Sequence, residues 1–516
     1  MSTPPPSEKL NLTIDGHVLA VDKGTTILKA AESVGVEIPT FCYHPGLSAP
    51  ANCRMCLVNT NKSPKLLPAC YATCMEGMEV TTDDDKTLRT RKSTLEFILL
   101  HHPVDCPICD QAGECVLQDN YFNHSAQPSR LFTMKGTKPK AEQLGPNVML
   151  DAERCIVCTR CVRFCDEISG SGELRVVNRG ERSFVTTFPG KLLDNDYATN
   201  TVDICPVGAL TSKDFRFKMR VWFLKNAPSV CGGCSRGCNI WLDHGKPGGA
   251  GPSEIQRYRP RENQDVNGWW MCDPGRLSYQ EFQQDRLSRG RLLDVEHPVK
   301  QVVARAARTI ARFSASSEAS KIAVVPSLMM TNEDAEALAR ITQKMGLGQW
   351  YEGGRPDGKQ DDLLQNADKN PNRAGVRAAA TAAGRDLKPL STLAADIASG
   401  KVGGVLWLGH EHAQDDALAS ALGRLEVRIV LASNESVWTR GAAVVLPIRT
   451  FEESDGHWTN FEGKVQRLTA GPDPRGEAKP AWDLLLGMAR RMGHLDVPTR
   501  PTAVTVVGAA PSPVGG

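Results

Sequence analysis

The sequence has 516 residues, a formal net charge of +2 at pH 7 and 23% charged residues. A chain of this length exceeds a single hydrophobic core, so we expect roughly three to five domains. The balanced charge gives no electrostatic case for binding nucleic acid or an anionic membrane surface. We therefore expect its partners to be proteins.

Cysteine is concentrated in the first half of the chain, where all 17 cysteines lie between Cys42 and Cys272. The amino-terminal stretch MSTPPPSEKL has no apolar core of a signal peptide, and no apolar run approaches the ~20 residues that span a bilayer. We expect a soluble protein in a reducing compartment, where clustered thiols more often bind metal than form disulfides.

The first predicted elements are a hairpin and a helix. Residues 10–21 alternate apolar and polar side chains on either side of Asp15-Gly16, which predicts a β-hairpin. Thr25 or Thr26 can cap a following helix that Gly35 closes.

Four cysteines in loops follow this scaffold with the spacing C-x10-C-x2-C-x13-C. They form the first ligand set: Cys42, Cys53, Cys56 and Cys70. Four thiolates on a small hairpin-and-helix scaffold resemble the ubiquitin-like (β-grasp) ferredoxin domain, which holds a [2Fe-2S] cluster. Spacing alone does not choose between Cys70 and Cys74, but the text ACYATCMEGMEV resembles a family pattern in which the first cysteine is the ligand.

An amphipathic helix is predicted from Asp85 to His101, and a compact group of metal ligands follows it. The spacing H-x3-C-x2-C-x5-C gives the second ligand set: His102, Cys106, Cys109 and Cys115. His102, which precedes Pro103, is preferred to His101. An imidazole in place of one thiolate makes a cluster less negative and should raise its potential, as in Rieske centres.

After a polar connector near residues 125–146, the text DAERCIVCTRCVRFCDE shows the C-x2-C-x2-C-x3-C spacing of a bacterial [4Fe-4S] ferredoxin. In two-cluster ferredoxins the fourth cysteine serves the other cluster. A second cluster would need cysteines where Asn195, Ala198 and Thr201 stand, so Cys165 becomes a spare thiol. The remote ligand lies in a Cys-Pro step, and the third ligand set is Cys155, Cys158, Cys161 and Cys205.

The texts VCGGCSRGC and WWMCDPGRL give a C-x2-C-x3-C-x33-C pattern. The fourth ligand set is Cys231, Cys234, Cys238 and Cys272. It resembles the amino-terminal [4Fe-4S] module of molybdopterin oxidoreductases, in which a Lys-Gly step after the last cysteine leads electrons to the pterin. Here Pro274 stands in the lysine position before Gly275. We therefore expect no molybdopterin.

From about Leu287, apolar segments alternate with helical stretches, which predicts an α/β region with a largely parallel sheet. Residues 353–384 are polar and glycine-rich and predict a long loop or mobile connection. Residues 451–467 again resemble molybdopterin enzymes, but no cysteine follows Cys272 to bind molybdenum. We interpret the region as a degenerate relative of those enzymes that serves as a scaffold.

Together, the four ligand sets in this order resemble the large iron–sulfur subunit (the 75-kDa, or G-type, subunit) of bacterial-type NADH:quinone oxidoreductase, respiratory complex I. The resemblance is specific over residues 8–276 and looser to residue 475. It implies a [2Fe-2S] cluster in the first set and [4Fe-4S] clusters in the other three. The fourth would be an off-path centre that only some bacterial members retain, and we expect it to be occupied.

The resemblance also implies a function and partners. The chain would relay electrons within a proton-translocating NADH dehydrogenase, without a substrate site of its own. Its partners would be the NADH- and FMN-binding subunit, a small [2Fe-2S] subunit and iron–sulfur subunits on the quinone side. The complex would lie on the cytoplasmic side of the bacterial inner membrane, with this chain peripheral. The sequence has neither a P-loop nor G-x-G-x-x-G at a strand-to-helix turn, so we expect no FMN here.

The predicted fold class is multidomain, mixing α+β and α/β domains. We expect a β-grasp [2Fe-2S] domain, a His/Cys [4Fe-4S] domain, a ferredoxin-like [4Fe-4S] domain, a molybdopterin-oxidoreductase-type [4Fe-4S] domain, a degenerate molybdopterin-oxidoreductase α/β domain and a disordered tail. In chain order these cover residues 8–85, 86–145, 146–225, 226–285, 286–500 and 501–516.

Two alternatives remain at this point. Sites of four cysteines, or of three cysteines and a histidine, suit structural zinc equally well in ligand type, and the protein would then be an interaction scaffold. The other alternative is the electron-transfer subunit of an NAD-linked hydrogenase or formate dehydrogenase. The α/β region and the missing molybdenum ligand favour complex I over both of these enzymes.

Overall fold

A computed structural model describes residues 8–125, 127–315 and 318–496. The chain divides into two compact units, and the division falls between Trp222 and Phe223. The tail predicted to be disordered, residues 501–516, lies outside the described residues. None of the described helices combines the length and the apolar character needed to cross a bilayer.

The first unit begins with a five-stranded mixed sheet of order β2-β1-β5-β3-β4. The predicted hairpin is confirmed, because β1 and β2 pair antiparallel around Asp15 and Gly16, both with positive φ. The predicted helix is also confirmed, and the Thr26 side chain caps it by accepting from Lys29 N at 3.4 Å. The elements are β1 Lys9–Ile14, β2 His17–Asp22, α1 Ile27–Ser33, β3 Leu57–Thr60, β4 Ser63–Pro68 and β5 Met78–Thr81.

Two helices enclose the loop that contains the second ligand set. Helix α2 spans Asp85–Leu99 and begins after Asp84, whose carboxylate accepts from Thr87 N, so the helix predicted here is confirmed. Helix α3 spans Val116–His124 and starts directly after Cys115. The ligands therefore lie on a short irregular segment that is fixed at both ends.

The third ligand set lies among short strands and helices. In the three-stranded sheet β10-β7-β6, Asp151 N donates to Ala209 O at 2.8 Å, which brings the Cys155 loop beside the Cys205 loop. The elements are β6 Glu142–Gln143, β7 Val148–Leu150, α4 Arg160–Glu167, β8 Leu174–Val177, β9 Phe184–Thr187, α5 Asn200–Asp203 and β10 Leu210–Ser212.

The second unit opens with an antiparallel three-stranded sheet and two short helices that hold the fourth ligand set. These elements are β11 Lys225–Val230, β12 Asn239–Gly245, β13 Glu254–Pro260, α6 Asp273–Leu277 and α7 Tyr279–Gln283.

An eight-stranded sheet of order β15-β14-β21-β20-β19-β16-β17-β18 forms the rest of the second unit. The predicted parallel sheet is confirmed from β21 to β18, and β14 and β15 add an antiparallel edge. The elements are β14 Gly290–Leu292, β15 Val295–His297, α8 Val299–Ala315, β16 Ile322–Val325, α9 Asn332–Lys344, β17 Trp350–Glu352, α10 Arg373–Ala382, β18 Leu387–Pro389, α11 Leu393–Ala398, β19 Gly404–Leu408, α12 Asp416–Leu422, β20 Val427–Ala432, β21 Val444–Pro447, β22 Gly456–Thr459, β23 Val465–Leu468 and α13 Ala481–Arg491.

Both faces of this sheet are buried, as parallel sheets require. Leu406 and Ile429 pack in one apolar cluster, and Trp407 and Val430 pack in another. The prediction of a loop over residues 353–384 is wrong near its carboxyl-terminal end, where helix α10 forms. The alanine-rich text RAGVRAAATA has high helix propensity and buries Val376 and Ala380 on one face. The glycine-rich composition of the whole segment concealed this helix.

Shortening a central core side chain tests this packing. Leu406 is fully buried in β19, so Leu406→Ala should lower the free energy of unfolding of the second unit by about 2–5 kcal/mol. Urea denaturation followed by tryptophan fluorescence measures this, because every tryptophan except Trp222 lies in the second unit. Leu495→Ala, at a position 79% exposed, is the control and should change it by less than about 0.5 kcal/mol. Equal effects of the two substitutions would contradict the described core.

Candidate iron–sulfur centres

The structure brings the sulfurs of the first ligand set together. The thiol of Cys42 lies close enough to interact with those of Cys53 and Cys70, and the thiol of Cys70 interacts with that of Cys56. These contacts lower the pKa of Cys42 and raise that of Cys70, because neighbouring sulfurs cannot all become anionic without a compensating cation. The donor set fits a [2Fe-2S] cluster, whose iron would supply that charge.

The alternative ligand Cys74 lies elsewhere in this domain. Its backbone N–H donates to Thr25 O at 2.8 Å, and its side chain packs in the apolar core under the sheet. Cys70, in contrast, contacts the sulfurs of Cys42 and Cys56. The geometry therefore favours Cys70, as the sequence pattern does.

The second ligand set lines a single cavity of about 480 Å³. Nδ1 of His102 is buried and has no hydrogen-bond partner among the described residues, whereas Nδ1 of His101 accepts from Gly136 N at 3.0 Å. Burial, helped by the nearby cations Lys135 and Arg154, lowers the pKa of His102 to about 4. The imidazole is consequently neutral at pH 7, which is the form that binds metal. These properties fit His102 as a cluster ligand.

Gly208 lies against this cavity, and sequence reasoning did not identify it. A Cβ atom at Gly208 would come within 2.2 Å of the Cys109 Sγ and 3.1 Å of the Gln111 Cβ. Only glycine permits so close an approach of the backbone. No spacing rule marks this residue, because its contact with Cys109 exists only in the folded chain.

The third ligand set surrounds a small cavity of about 20 Å³ that all four of its cysteines line. Val157 and Thr159 have left-handed backbone conformations, with φ of 52° and 63°, and these let the loop coil around the cavity. Burial raises the pKa of Cys155 to about 11 and that of Cys158 to about 12, so both are protonated thiols until a metal binds.

Cys165 is fully buried in helix α4, which also contains the third-set ligand Cys161. It is not among the described residues that line the third-set cavity. Burial raises the pKa of its thiol to about 12, and a hydrogen bond with Ser171 opposes that rise. The structure thus separates Cys165 from the third ligand set.

Backbone turns assemble the fourth ligand set. Cys231 follows β11, Cys238 precedes β12, and Cys231 N donates to Cys238 O at 2.8 Å. Cys272 caps α6, and its Sγ accepts from Gly275 N at 3.4 Å. A Cβ at Gly275 would lie 3.1 Å from the Cys231 Sγ and 3.2 Å from the Cys272 Sγ, so both sulfurs flank this glycine.

Two arginines, rather than the lysine of the molybdopterin pattern, lie beside this set. Arg355 donates to Gly232 O at 2.9 Å, and buried Arg276 donates to Tyr258 O at 3.0 Å. Burial raises the pKa of Cys231 to about 12, and the charges of both arginines oppose that rise. Sequence reasoning missed Arg355, since it lies in an irregular loop without a motif.

Within the described residues, no three His, Cys, Asp or Glu side chains converge closely enough to hold a single metal ion. The side chains of each ligand set are spread more widely than the ligands of a single ion, around the contacts and cavities described above. Cluster ligation by these sixteen side chains therefore stays a prediction.

Gly208→Ala tests the second ligand set without changing a ligand. The added methyl group should displace Cys109 because of the 2.2 Å approach, so the EPR signal of that [4Fe-4S] cluster should disappear and the iron content should fall. Gly136→Ala, whose nearest atom is His101 Nδ1 at 3.4 Å, is the matched control and should retain the cluster. A full signal in Gly208→Ala would contradict the described backbone approach.

Four protein families match successive parts of the chain. They are described as a 2Fe-2S iron-sulfur cluster binding domain (residues 7–85), the NADH-ubiquinone oxidoreductase-G iron-sulfur binding region (91–130), the ferredoxin-like domain of NADH-quinone oxidoreductase subunit 3 (145–211) and molybdopterin oxidoreductase (298–491). These matches confirm the predicted fold class.

A solved chain of an NAD+-reducing [NiFe]-hydrogenase is 29% identical and covers 41% of this chain and 91% of its own. Its TM-score is 0.38, which is too low to support an argument about the fold.

Curated relatives extend the comparison. The G-type subunit of the NADH-quinone oxidoreductase of Rickettsia felis is 37% identical, covering 65% of this chain and 49% of its own. An NADH dehydrogenase iron-sulfur protein 1 of Solanum tuberosum is 38% identical, covering 66% of this chain and 46% of its own. A 75 kDa subunit of Reclinomonas americana is 37% identical, covering 70% of this chain and 53% of its own. The chain spans about half the length of these relatives. Over that part, it is similar to the G-type subunits of NADH-quinone oxidoreductase and their 75 kDa counterparts.

Proposed function

We propose that this chain is the electron-relay subunit of a respiratory NADH:quinone oxidoreductase, with one [2Fe-2S] and three [4Fe-4S] clusters in its four ligand sets. The observation that supports this most directly is one apolar cluster in the first unit that joins three of the sets. It includes Cys53 of the first, Cys115 of the second, and Cys155 and Cys205 of the third. Three redox centres around one core would be close neighbours.

Contacts through the third set support a relay. The Cys115 thiol lies 3.9 Å from Pro206 O, and Pro206 follows the third-set ligand Cys205. On the other side, Arg160 of the third-set loop donates to Tyr43 O, next to Cys42 of the first set. A bound cluster supplies one-electron chemistry without breaking a substrate bond. The chain itself would fix the separation of the centres, exclude water and tune their potentials.

The second ligand set argues for clusters over zinc. Zinc ligands converge at about 2.0–2.3 Å on one ion. Among the described residues, no three His, Cys, Asp or Glu side chains converge this closely. Families described as iron–sulfur binding match the stretches that contain the first and second ligand sets, and a ferredoxin-like family matches the stretch that contains the third. These matches make zinc throughout the chain a poor explanation.

The family named by the relatives suggests the partners. We propose that electrons enter from an NADH- and FMN-binding subunit beside a small [2Fe-2S] subunit and leave towards quinone-side iron–sulfur subunits. The complex would lie on the cytoplasmic side of the bacterial inner membrane, with this chain peripheral. The fourth set would be an off-path centre, and neither molybdopterin nor FMN would bind this chain. The six predicted domain ranges are part of this proposal.

Cys158→Ala tests the relay. Loss of one third-set ligand should remove a [4Fe-4S] EPR signal and abolish electron flow from NADH to quinone in the purified complex. Cys165→Ala is the matched control on the same short segment, and it should leave both the cluster content and the electron flow unchanged. Retained flow in Cys158→Ala would reject the relay through this set.

Cys234→Ala tests the off-path position of the fourth set. The substitution should remove a [4Fe-4S] signal and perturb assembly, while the assembled complex keeps most of its turnover. Turnover is measured as NADH oxidation per assembled complex. Complete loss of electron flow in an assembled complex would place this centre on the main path.

A further inference from the structure

Arg160 occupies a position between the first and third ligand sets. It is the first residue of α4 and stands between the ligands Cys158 and Cys161. Its Nη1 donates to Ile204 O at 3.2 Å, and its Nη2 donates to Tyr43 O. The guanidinium thus contacts backbone of both sets.

These two acceptors lie next to ligands. Tyr43 follows Cys42 of the first set, and Ile204 precedes Cys205 of the third set. The third donor, Nε of Arg160, is buried and has no hydrogen-bond partner in the part of the chain that the structure describes. A buried N–H without a partner costs free energy, so a further acceptor such as a cluster or thiolate sulfur fits this position.

The charge of Arg160 acts on both sets. Burial lowers the pKa of its guanidinium, and the nearby Cys158, Cys205 and Cys42 oppose this effect through the negative charge that each carries as a thiolate. An arginine retains its proton at any ordinary pH, so a permanent positive charge lies beside ligands of two centres. In a partly desolvated site such a charge is screened less than at the surface.

We propose that Arg160 is a positioning residue whose single charge raises the reduction potentials of the first-set and third-set clusters together. This inference rests on the proposed function. Each cluster gains one negative charge when it accepts an electron, and the guanidinium stabilises that reduced state at either centre.

Other arginines of this region provide a comparison. Arg163, one turn further along α4, donates to Cys42 O and Ser48 O, and its Nε donates to the Thr159 side chain rather than to backbone of the third set. Arg175 forms an exposed ion pair with Asp166 at 2.7 Å. Of the three, Arg160 is the one whose guanidinium contacts the backbone beside a ligand of each set.

Redox titration followed by EPR on the purified complex tests the proposal, with dithionite as the reductant. Arg160→Gln should lower the reduction potential of each of the two clusters. The expected change is about tenfold in the equilibrium constant for reduction, which corresponds to ~59 mV for a one-electron couple. Arg160→Lys keeps the charge and should hold both constants within about threefold of the wild type. Arg175→Gln is the control and should shift neither.

The outcomes separate charge from packing. The proposal would be overturned if Arg160→Gln left the reduction potential of either cluster unchanged. It would also be overturned if the Gln and Lys variants shifted the potentials equally. If the Gln variant fails to assemble, Arg160→Lys decides, and a tenfold change in either of its constants would overturn it. A wild-type complex without these two EPR signals would contradict the proposed function instead of the role of Arg160.

Discussion

The ligand sites depend on one physical constraint, which is that many cysteine thiols are buried close to one another. Burial raises the pKa of Cys115 and Cys155 to about 11, and that of Cys158 and Cys231 to about 12. Metal binding requires thiolates, so it must release protons and supply positive charge inside the protein. We infer that iron binding would contribute directly to the stability of these loops, because the proposed clusters would supply that positive charge.

The backbone adapts to this constraint in a repeated way. Gly208 and Gly275 let the chain approach sulfur atoms more closely than a side chain would allow. Residues with positive φ, Val157 and Thr159, coil the third-set loop, and a short helix begins directly after the turn. The apolar cluster around Val207 then joins three of the sets. Close packing of the first unit would therefore also place its proposed redox centres close together.

Cysteine spacing, strand alternation and helix caps predicted much of this protein from its sequence. The hairpin at Asp15-Gly16, the cap at Thr26 and the parallel strands of the second unit follow local patterns, which the sequence contains in full. The functions of Gly208, Arg160 and Arg355 could not be predicted, because each depends on contact with a residue distant in the chain. Helix α10 was missed because composition was averaged over residues 353–384, of which the helix occupies only Arg373–Ala382.

Iron, acid-labile sulfide and zinc analysis of the anaerobically purified complex, combined with low-temperature EPR, tests the central claim most directly. We predict a brown preparation in which this chain contributes one [2Fe-2S] and three [4Fe-4S] clusters, with EPR signals that appear on reduction. A colourless preparation that contains zinc, lacks labile sulfide and stays silent when reduced would contradict it.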